Sequence, residues 1–226
     1  MRTKFKLLLW LMLIMGATNA WATDYVMGPG DHFGGLGLVE YDTLLMTGGT
    51  IESLGIGGYA VSDIEGTSPL GSLPIDGGIW HIGIGVYGTL NISGGEIKNI
   101  EAVEISTINM TGGNVYSLEM KNFSMTYLYG GQINTLASDQ MAFWQPSGQT
   151  DLNGWIQFFC REYDYDTDAR ILTGTWEDYS DFSIQLLNIG TIPTYDQIEF
   201  HIIPEPGTII LLGLGGIFLK RRISKQ

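Results

Sequence analysis

An eleven-residue stretch with a central Gly-Gly pair is the clearest indication of the fold: Leu90-Asn-Ile-Ser-Gly-Gly-Glu-Ile-Lys-Asn-Ile100. The same pattern returns as Ile108-Asn-Met-Thr-Gly-Gly-Asn-Val-Tyr-Ser-Leu118, and it returns again, at the same 18-residue period, around Gly130-Gly131. An earlier copy begins at Leu44, and the longer interval after it indicates an insertion around Ser62 to Pro74. Apolar residues two or three positions apart, interrupted by Gly-Gly, are typical of short strands joined by turns.

The apolar positions of these copies align in columns with the same period. Four columns are predicted: Ile92, Met110 and Leu128; Ile97, Val115 and Ile133; Ile100, Leu118 and Leu136; Ile105, Phe123 and Met141. An 18-residue copy is too short to bury its own apolar face, so the copies must stack on one another. The sequence therefore predicts an all-β fold, a parallel β-solenoid (β-helix) of about five rungs over residues 23–140. A β-sandwich with Gly-Gly hairpins is the alternative, and it does not require the regular period.

Turn chemistry follows the same repeat. Each Gly-Gly pair predicts a corner at which the chain takes a positive φ without a Cβ clash. Asn91 and Asn109 occupy equivalent positions, and this predicts a short ladder of hydrogen-bonded asparagines on adjacent rungs.

The composition changes near Asp139, where the repeat fades. Residues 141–203 are rich in aromatic side chains, and four strand-like segments are predicted there: Trp155 to Cys160, Ile171 to Trp176, Phe182 to Leu187 and Gln197 to Ile203. Because the end of a stacked fold exposes apolar groups and unpaired strand edges, we expect this region to form a β-rich cap. A small separate β-domain fits the same pattern.

The N-terminus has the features of a secretory signal peptide over residues 1–22. Arg2, Lys4 and Lys6 precede an apolar run, and Ala20-Trp-Ala22 is an A-x-A cleavage site. We expect cleavage after Ala22. The alternative, a buried N-terminal helix, leaves the basic start and the A-x-A site unexplained.

The C-terminus, residues 204–226, has three parts in order. The motif Pro204-Glu205-Pro206 comes first, an apolar segment from Gly207 to Leu219 predicts one hydrophobic helix, and a basic cluster of Lys220, Arg221 and Arg222 follows. Prolines on both sides of Glu205 end any preceding strand. The basic cluster is expected to stay on the cytoplasmic side of a membrane.

This ordered tail resembles the PEP-CTERM sorting signal of bacterial exported proteins. The resemblance implies export by the secretory machinery, an intermediate anchored in the inner membrane by the C-terminal helix, and processing by an exosortase near the Pro-Glu-Pro motif. It also implies a final place at the cell surface or in the extracellular matrix. An ordinary C-terminal membrane anchor is the alternative, and it predicts the same topology without processing.

The net charge of −13 hides an uneven distribution. Seven of the 11 basic residues lie in residues 1–22 and 204–226, so residues 23–203 hold four basic and 23 acidic residues and a net charge of −19. A body this acidic is a poor ligand for phosphates, so no nucleic-acid partner is expected. The charge suits a protein that stays soluble outside the cell.

Candidate chemistry in the body is sparse. Asp164, Asp166 and Asp168 alternate as calcium ligands can, although Ala169 and Thr175 stand where an EF-hand loop needs glycine and glutamate, so an acidic turn is the simpler interpretation. Glu101 and Glu119 lie one period apart and are expected to stack on adjacent rungs, as a cation site or a glycosidase-like carboxylate pair would. No other metal site or cofactor is predicted.

The remaining reactive side chains suit structural roles. The aromatic residues of 141–200 are expected in the core, with sugar stacking as the alternative. His32, His81 and His201 lack metal-ligand spacing, and Cys160, in an aromatic strand, is expected to be a small buried hydrophobe.

These features favour a non-enzymatic structural or adhesive protein of the cell surface or matrix, with exopolysaccharide as a candidate partner. A carbohydrate-active β-helix lyase or hydrolase is the first alternative, by analogy of fold. A calcium-dependent adhesin is the second.

Overall fold

The structure is a computed structural model that describes residues 22–71, 77–139, 156–189 and 192–204. The predicted signal peptide up to residue 21, and the tail from Glu205 with its predicted hydrophobic helix, lie outside these residues. The described chain is all-β, with no α-helix and one 3₁₀ turn at Thr194–Gln197. Its strands, in chain order, are β1 (Asp24–Met27), β2 (His32–Phe33), β3 (Leu36–Leu38), β4 (Thr43–Met46), β5 (Thr50–Ile56), β6 (Val61–Ile64), β7 (Gly78–Ile84), β8 (Thr89–Ile92), β9 (Glu96–Ala102), β10 (Thr107–Met110), β11 (Asn114–Lys121), β12 (Met125–Leu128), β13 (Gln132–Asp139), β14 (Ile156–Asp166), β15 (Ile171–Trp176), β16 (Asp181–Leu187) and β17 (Ile198–Ile202).

Two parallel ladders organise these strands. The first ladder runs β1, β4, β6, β8, β10, β12, β14, β17; the second runs β2 with β3, then β5, β7, β9, β11, β13, β16. Within the repeat, neighbouring strands pair in the 18-residue register of the sequence, as Thr107 pairs with Thr89 on one side and with Met125 on the other. The period of the sequence is therefore the register of the backbone hydrogen bonds.

The insertion begins later than predicted, and the parallel pairing begins ahead of the first Gly-Gly copy. The β5–β7 and β6–β8 pairs share one longer offset: Asn91 lies 28 positions after its partner Asp63, whereas Asn109 lies 18 positions after Asn91. Ser62 is a buried residue of β6, so the extra residues follow Ile64. At the other end, β1 to β3 pair with β4 and β5 ahead of the copy that begins at Leu44.

Three of the four predicted apolar columns form the core. Their nine residues are at most 2% exposed and belong to one hydrophobic cluster with side chains from both ladders. A further column in the second ladder belongs to the same cluster and consists of Leu38, Ile56, Ile84, Ala102 and Met120. The short strands of the first ladder alternate between buried and partly exposed residues, because successive side chains of a strand point to opposite faces.

The fourth predicted column is wrong. Ile105 is 52% exposed, Phe123 is half-buried, and Met141 lies outside the described residues. In each described copy, the residue that follows the predicted position is buried instead. That residue is small in most copies, as Ala60, Gly88, Ser106 and Ser124 are, and it is Asp42 in the first copy. The physical reason is space, since a Cβ on Gly88 would lie 2.8 Å from the Ile56 carbonyl oxygen.

The two glycines of each Gly-Gly pair serve different needs. Gly113 has a φ of +84°, which confirms the positive-φ corner, and Gly49, Gly95 and Gly131 repeat it. Gly112 is required for space, since a Cβ there would lie 2.4 Å from the Ser93 carbonyl oxygen of the preceding copy. The pair therefore allows both the turn and the close stacking of copies.

The aromatic C-terminal region extends both ladders, through the β12–β14 and β13–β16 pairs. β15 lies antiparallel between the second half of β14 and β16, and it covers an edge of β16. Three of the four strands predicted there agree with the observed ones to within one residue, whereas β14 continues to Asp166, beyond the predicted end at Cys160. Phe158, Trp176 and Phe182 pack together in the same hydrophobic cluster as the repeat, so the core is continuous from Met27 to Leu186.

Candidate functional site

The residue that precedes the predicted sorting motif is paired with the folded body. The backbone N–H of Ile203 donates to the Cys160 carbonyl oxygen at 2.8 Å and continues the pairing of β17 with β14. Pro204 has no N–H to donate, so this pairing ends there. Glu205 and Pro206, and the basic residues Lys220 to Arg222, lie outside the described residues, as does Ala20.

The structure brings Glu101 and Glu119 together as predicted, and it adds a lysine. The two glutamates are register partners in β9 and β11. Lys121 Nζ lies 2.7 Å from Glu101 Oε1 and 2.9 Å from Glu119 Oε1, and all three side chains are about one-third to two-fifths exposed. Stacked carboxylates repel each other, and the shared lysine offsets that repulsion.

The hydrogen bonds in this cluster favour the charged forms of Glu101 and Lys121. The hydrogen bond from Lys121 lowers the pKa of Glu101, and the hydrogen bonds to both glutamates raise the pKa of Lys121. A general acid in glycoside hydrolysis needs a raised carboxyl pKa, and a lysine base needs a lowered one. The arrangement is therefore that of a surface ion cluster that stabilises two adjacent strands.

The three aspartates of the predicted calcium site lie at the end of the β14–β15 hairpin. Asp164 and Asp166 are in β14, and Asp168 is in the turn. Asp166 Oδ1 accepts the backbone N–H groups of Asp168 and Ala169, each at 2.9 Å, so its carboxylate closes the turn. In the part of the chain that the structure describes, no three His, Cys, Asp or Glu side chains form a group that could hold a metal.

The histidines and the cysteine have separate structural surroundings. His32 lies 3.6 Å from Glu52, and the His201 ring stacks on Phe159. Cys160 is fully buried, and burial raises the pKa of its thiol to about 11. The thiol is protonated at neutral pH, as suits a buried apolar residue.

An exposed stack of three tyrosines is the largest feature that the sequence reasoning missed. Tyr41, Tyr59 and Tyr87 follow successive strands of the second ladder, with ring centroids 5.5 and 5.0 Å apart and planes within 10° of parallel. The rings are 60%, 55% and 46% exposed, and the exposed Ile105 occupies the next turn. The tyrosines are separated by the same two offsets, 18 and then 28, as the paired strands, and this spacing is the signal that would have revealed the stack.

A shallow cleft of about 230 Å³ lies on the second ladder. Trp80, Lys98 and Tyr116, from β7, β9 and β11, form its wall together with Leu70 and Gly71 of the insertion. Lys98 Nζ lies 3.6 Å from the centroid of the Trp80 ring, as in a cation–π contact. Glu96 holds the insertion at this edge, because its Oε2 accepts the Leu70 N–H at 2.7 Å.

The comparison with protein families bears on the C-terminus. Residues 203–225 match the PEP-CTERM protein-sorting motif. No curated protein and no solved structure matches the chain. The match supports an exported protein that an exosortase sorts through a membrane-anchored intermediate. Among the described residues there is no helix with the length and apolarity needed to cross a membrane.

Proposed function

We propose that residues 23–203 form a rigid β-solenoid body that serves a non-enzymatic, structural or adhesive role at the cell surface or in the extracellular matrix. The observation that supports it best is the 18-residue parallel register shared by both ladders. The repeated residues serve the stack itself: inward aliphatic columns, glycine corners and an amide ladder. In that ladder Asn109 Nδ2 donates to Asn91 Oδ1 at 2.8 Å, and Asn91 Nδ2 donates to Asp63 at 2.7 Å.

The proposed path to the surface combines both ends of the chain. The signal peptide directs export, the C-terminal hydrophobic helix anchors the intermediate in the membrane, and an exosortase cleaves near Pro204-Glu205-Pro206. The test is the location and intact C-terminal mass of the mature protein in its native cells. Recovery from the surface or matrix fraction with a C-terminus near Pro206 supports the proposal. An unprocessed C-terminus at Gln226 in the membrane fraction favours the simple anchor.

Contact with matrix polysaccharide is the adhesive part of the proposal. The cleft of Trp80, Lys98 and Tyr116 supplies aromatic surface and a cation, which suit sugar rings and acidic sugars. A glycan-binding screen of the wild-type protein and of Trp80→Ala tests it, with Tyr179→Ala, an exposed aromatic of the hairpin region, as the matched control. Binding that Trp80→Ala leaves unchanged would remove the cleft from the proposal.

The carbohydrate-active enzyme stays a second candidate because one observation favours it. The structure gathers two carboxylates and a lysine, Glu101, Glu119 and Lys121, on the ladder that carries the cleft. The direction of the pKa changes argues against acid–base chemistry at that cluster. Degradation of a polysaccharide at an enzymatic rate, lost in Glu101→Gln, would support the enzyme and overturn the structural role.

The calcium-dependent adhesin stays a prediction with a direct test. Calcium binding to the folded state would raise the melting temperature, and Asp164→Asn with Asp168→Asn would abolish the rise. A melting temperature that calcium leaves unchanged would remove the adhesin, and the use of Asp166 Oδ1 to close the turn favours that result.

A further inference from the structure

The first residue after the predicted signal-peptide cleavage point is already held in the fold by both of its backbone groups. The Thr23 nitrogen donates to Asp42 Oδ1 at 2.8 Å, and the Thr23 carbonyl oxygen accepts the Thr43 N–H at 3.0 Å. Ala22, on the other side of the scissile bond, is exposed. The new N-terminus of the exported protein would therefore lie at the folded edge with no intervening linker.

Asp42 is unusual among the acidic residues of the body. It is only 8% exposed, and its second oxygen accepts the Val39 N–H at 3.1 Å. The hydrogen bonds from Thr23 and Val39 lower its pKa, so the carboxylate is charged at neutral pH. Within the described residues, no lysine, arginine or histidine forms an ion pair with it. It occupies the corner position where other copies carry Ala60, Ser106 or Ser124.

Cleavage changes the donor that faces this carboxylate. Hydrolysis of the Ala22–Thr23 bond adds OH to the Ala22 carbonyl carbon and leaves an amine on Thr23, which takes up a proton below its usual pKa of about 7.7–8.0. The amide N–H that donates a neutral hydrogen bond becomes an ammonium at ion-pair distance from Asp42. Charge-assisted hydrogen bonds are roughly twice as strong as neutral ones.

We propose that Asp42 is a binding site for the protein's own mature amino terminus, so that removal of the signal peptide locks the first strand of the body in place. The inference rests on export with cleavage after Ala22, which belongs to the proposed function. It assigns Asp42 a role beyond closing the turn at Val39, at a corner where the other described copies carry no carboxylate.

The test compares two proteins that keep the complete C-terminus and differ only in the residue at which the chain begins. One protein begins at Thr23, released by a protease that leaves no extra residue, and the other begins at Trp21. Each is prepared with Asp42 and with Asp42→Asn. We expect the chain that begins at Thr23 to melt about 4 °C higher than the extended chain, and Asp42→Asn to abolish the difference. Asp24→Asn is the matched control, because it removes a neighbouring exposed charge, and the difference should persist in it.

Equal melting of the two wild-type chains, or a difference that survives in Asp42→Asn, would overturn the ion pair. If Asp42→Asn does not fold, the reactivity of the amine in the wild-type protein decides. A rise of one unit in the amine pKa leaves about fivefold less free amine near pH 8, so acylation of the Thr23 amine there should be about fivefold slower in the native protein than in urea. Equal rates would contradict the proposal.

These results do not depend on export, because both N-termini are engineered. The intact mass of the protein from secreting cells reads the cleavage point separately. A mature chain that begins elsewhere than Thr23 would contradict the claim that export produces this N-terminus. The comparison of the two engineered chains would then still test the ion pair between the Thr23 amine and Asp42.

Discussion

The repeat region and the aromatic C-terminal region extend the same two ladders by different means. In the repeat, aliphatic side chains recur at fixed positions, and paired strands keep the 18-residue offset except at the insertion and in the β1–β4 pair, where Asp24 pairs with Thr43. In the C-terminal region the offsets are longer and unequal, since Thr126 pairs with Ile156 and Thr135 pairs with Gln185. There one strand also runs antiparallel, and aromatic rings fill the core. In the repeat each copy packs against the next, so aliphatic side chains are large enough to fill the core. The end of the stack has no following copy, and large aromatic rings and a covering strand close it instead.

The largest expected effect is at the join between the two regions. Trp176 is fully buried, packs on Phe158 with centroids 4.6 Å apart, and donates its indole N–H to the Gly131 carbonyl oxygen of the repeat at 2.9 Å. We expect Trp176→Ala to lower the free energy of unfolding by about 4 kcal/mol. Chemical denaturation measures it, with the exposed Tyr179→Ala as the control, and a loss no larger than the control's would contradict the described packing.

A slightly smaller effect is expected inside the repeat, where equivalent sites should behave alike. Leu118 and Ile100 are register partners in one buried column. We expect Leu118→Ala and Ile100→Ala each to cost about 3 kcal/mol of unfolding free energy, measured by denaturation. Asn99→Ala, at an exposed position of the same strand, should stay within about 0.5 kcal/mol. Costs that differ by more than about 2 kcal/mol between the two core sites would argue against equivalent copies.

The glycine corners come next. Gly113 has a φ of +84°, and a Cβ there would lie 3.0 Å from the Gly94 carbonyl oxygen. We expect Gly113→Ala to cost about 2 kcal/mol in unfolding free energy. Gly37→Ala is the comparison, because a Cβ there meets nothing within 4 Å, and it should change stability by less than about 1 kcal/mol. Equal losses of unfolding free energy in Gly113→Ala and Gly37→Ala would contradict the prediction, because a side chain at Gly113 would then cost no more than one in open space.

The smallest effect is expected at the charged cluster of the repeat. The pKa of Glu101 is lowered from 4.5 by Lys121, so its stabilisation is present above that pH and is lost as the pH falls through the lowered value. Because the side chains are partly exposed, the loss should be at most about 1 kcal/mol. Unfolding measured from pH 6 to pH 3 in the wild type and in Lys121→Met tests it. An identical pH dependence in both would contradict the ion pairing.

How much could be predicted differs between the two regions for a physical reason. In the repeat, the 18-residue period and the Gly-Gly pairs determine strands, register and three buried columns, because one set of contacts recurs. The pattern wrongly predicts that Ile105 is buried. Apolar residues that recur in register can also lie on the surface, as the stacked tyrosines do. Lys121 and Asp42 could not be placed from the pattern, because each is unique among the copies and acts through its own contacts. In the C-terminal region the strands were predictable from composition, whereas their order and the antiparallel β15 depend on long-range packing.

A disulfide between register partners tests the parallel stacking of the strands. Thr89 and Thr107 are register partners on the first ladder, and a parallel pair holds their Cα atoms within the range that a disulfide spans. We expect Thr89→Cys with Thr107→Cys to form a disulfide rapidly in the folded protein, whereas Thr89→Cys with Asn109→Cys, which is out of register, should not. A sandwich of Gly-Gly hairpins gives residues 89 and 107 no reason to meet. Failure of the in-register pair to close in a folded protein, or equal closure of the shifted pair, would contradict the parallel stack.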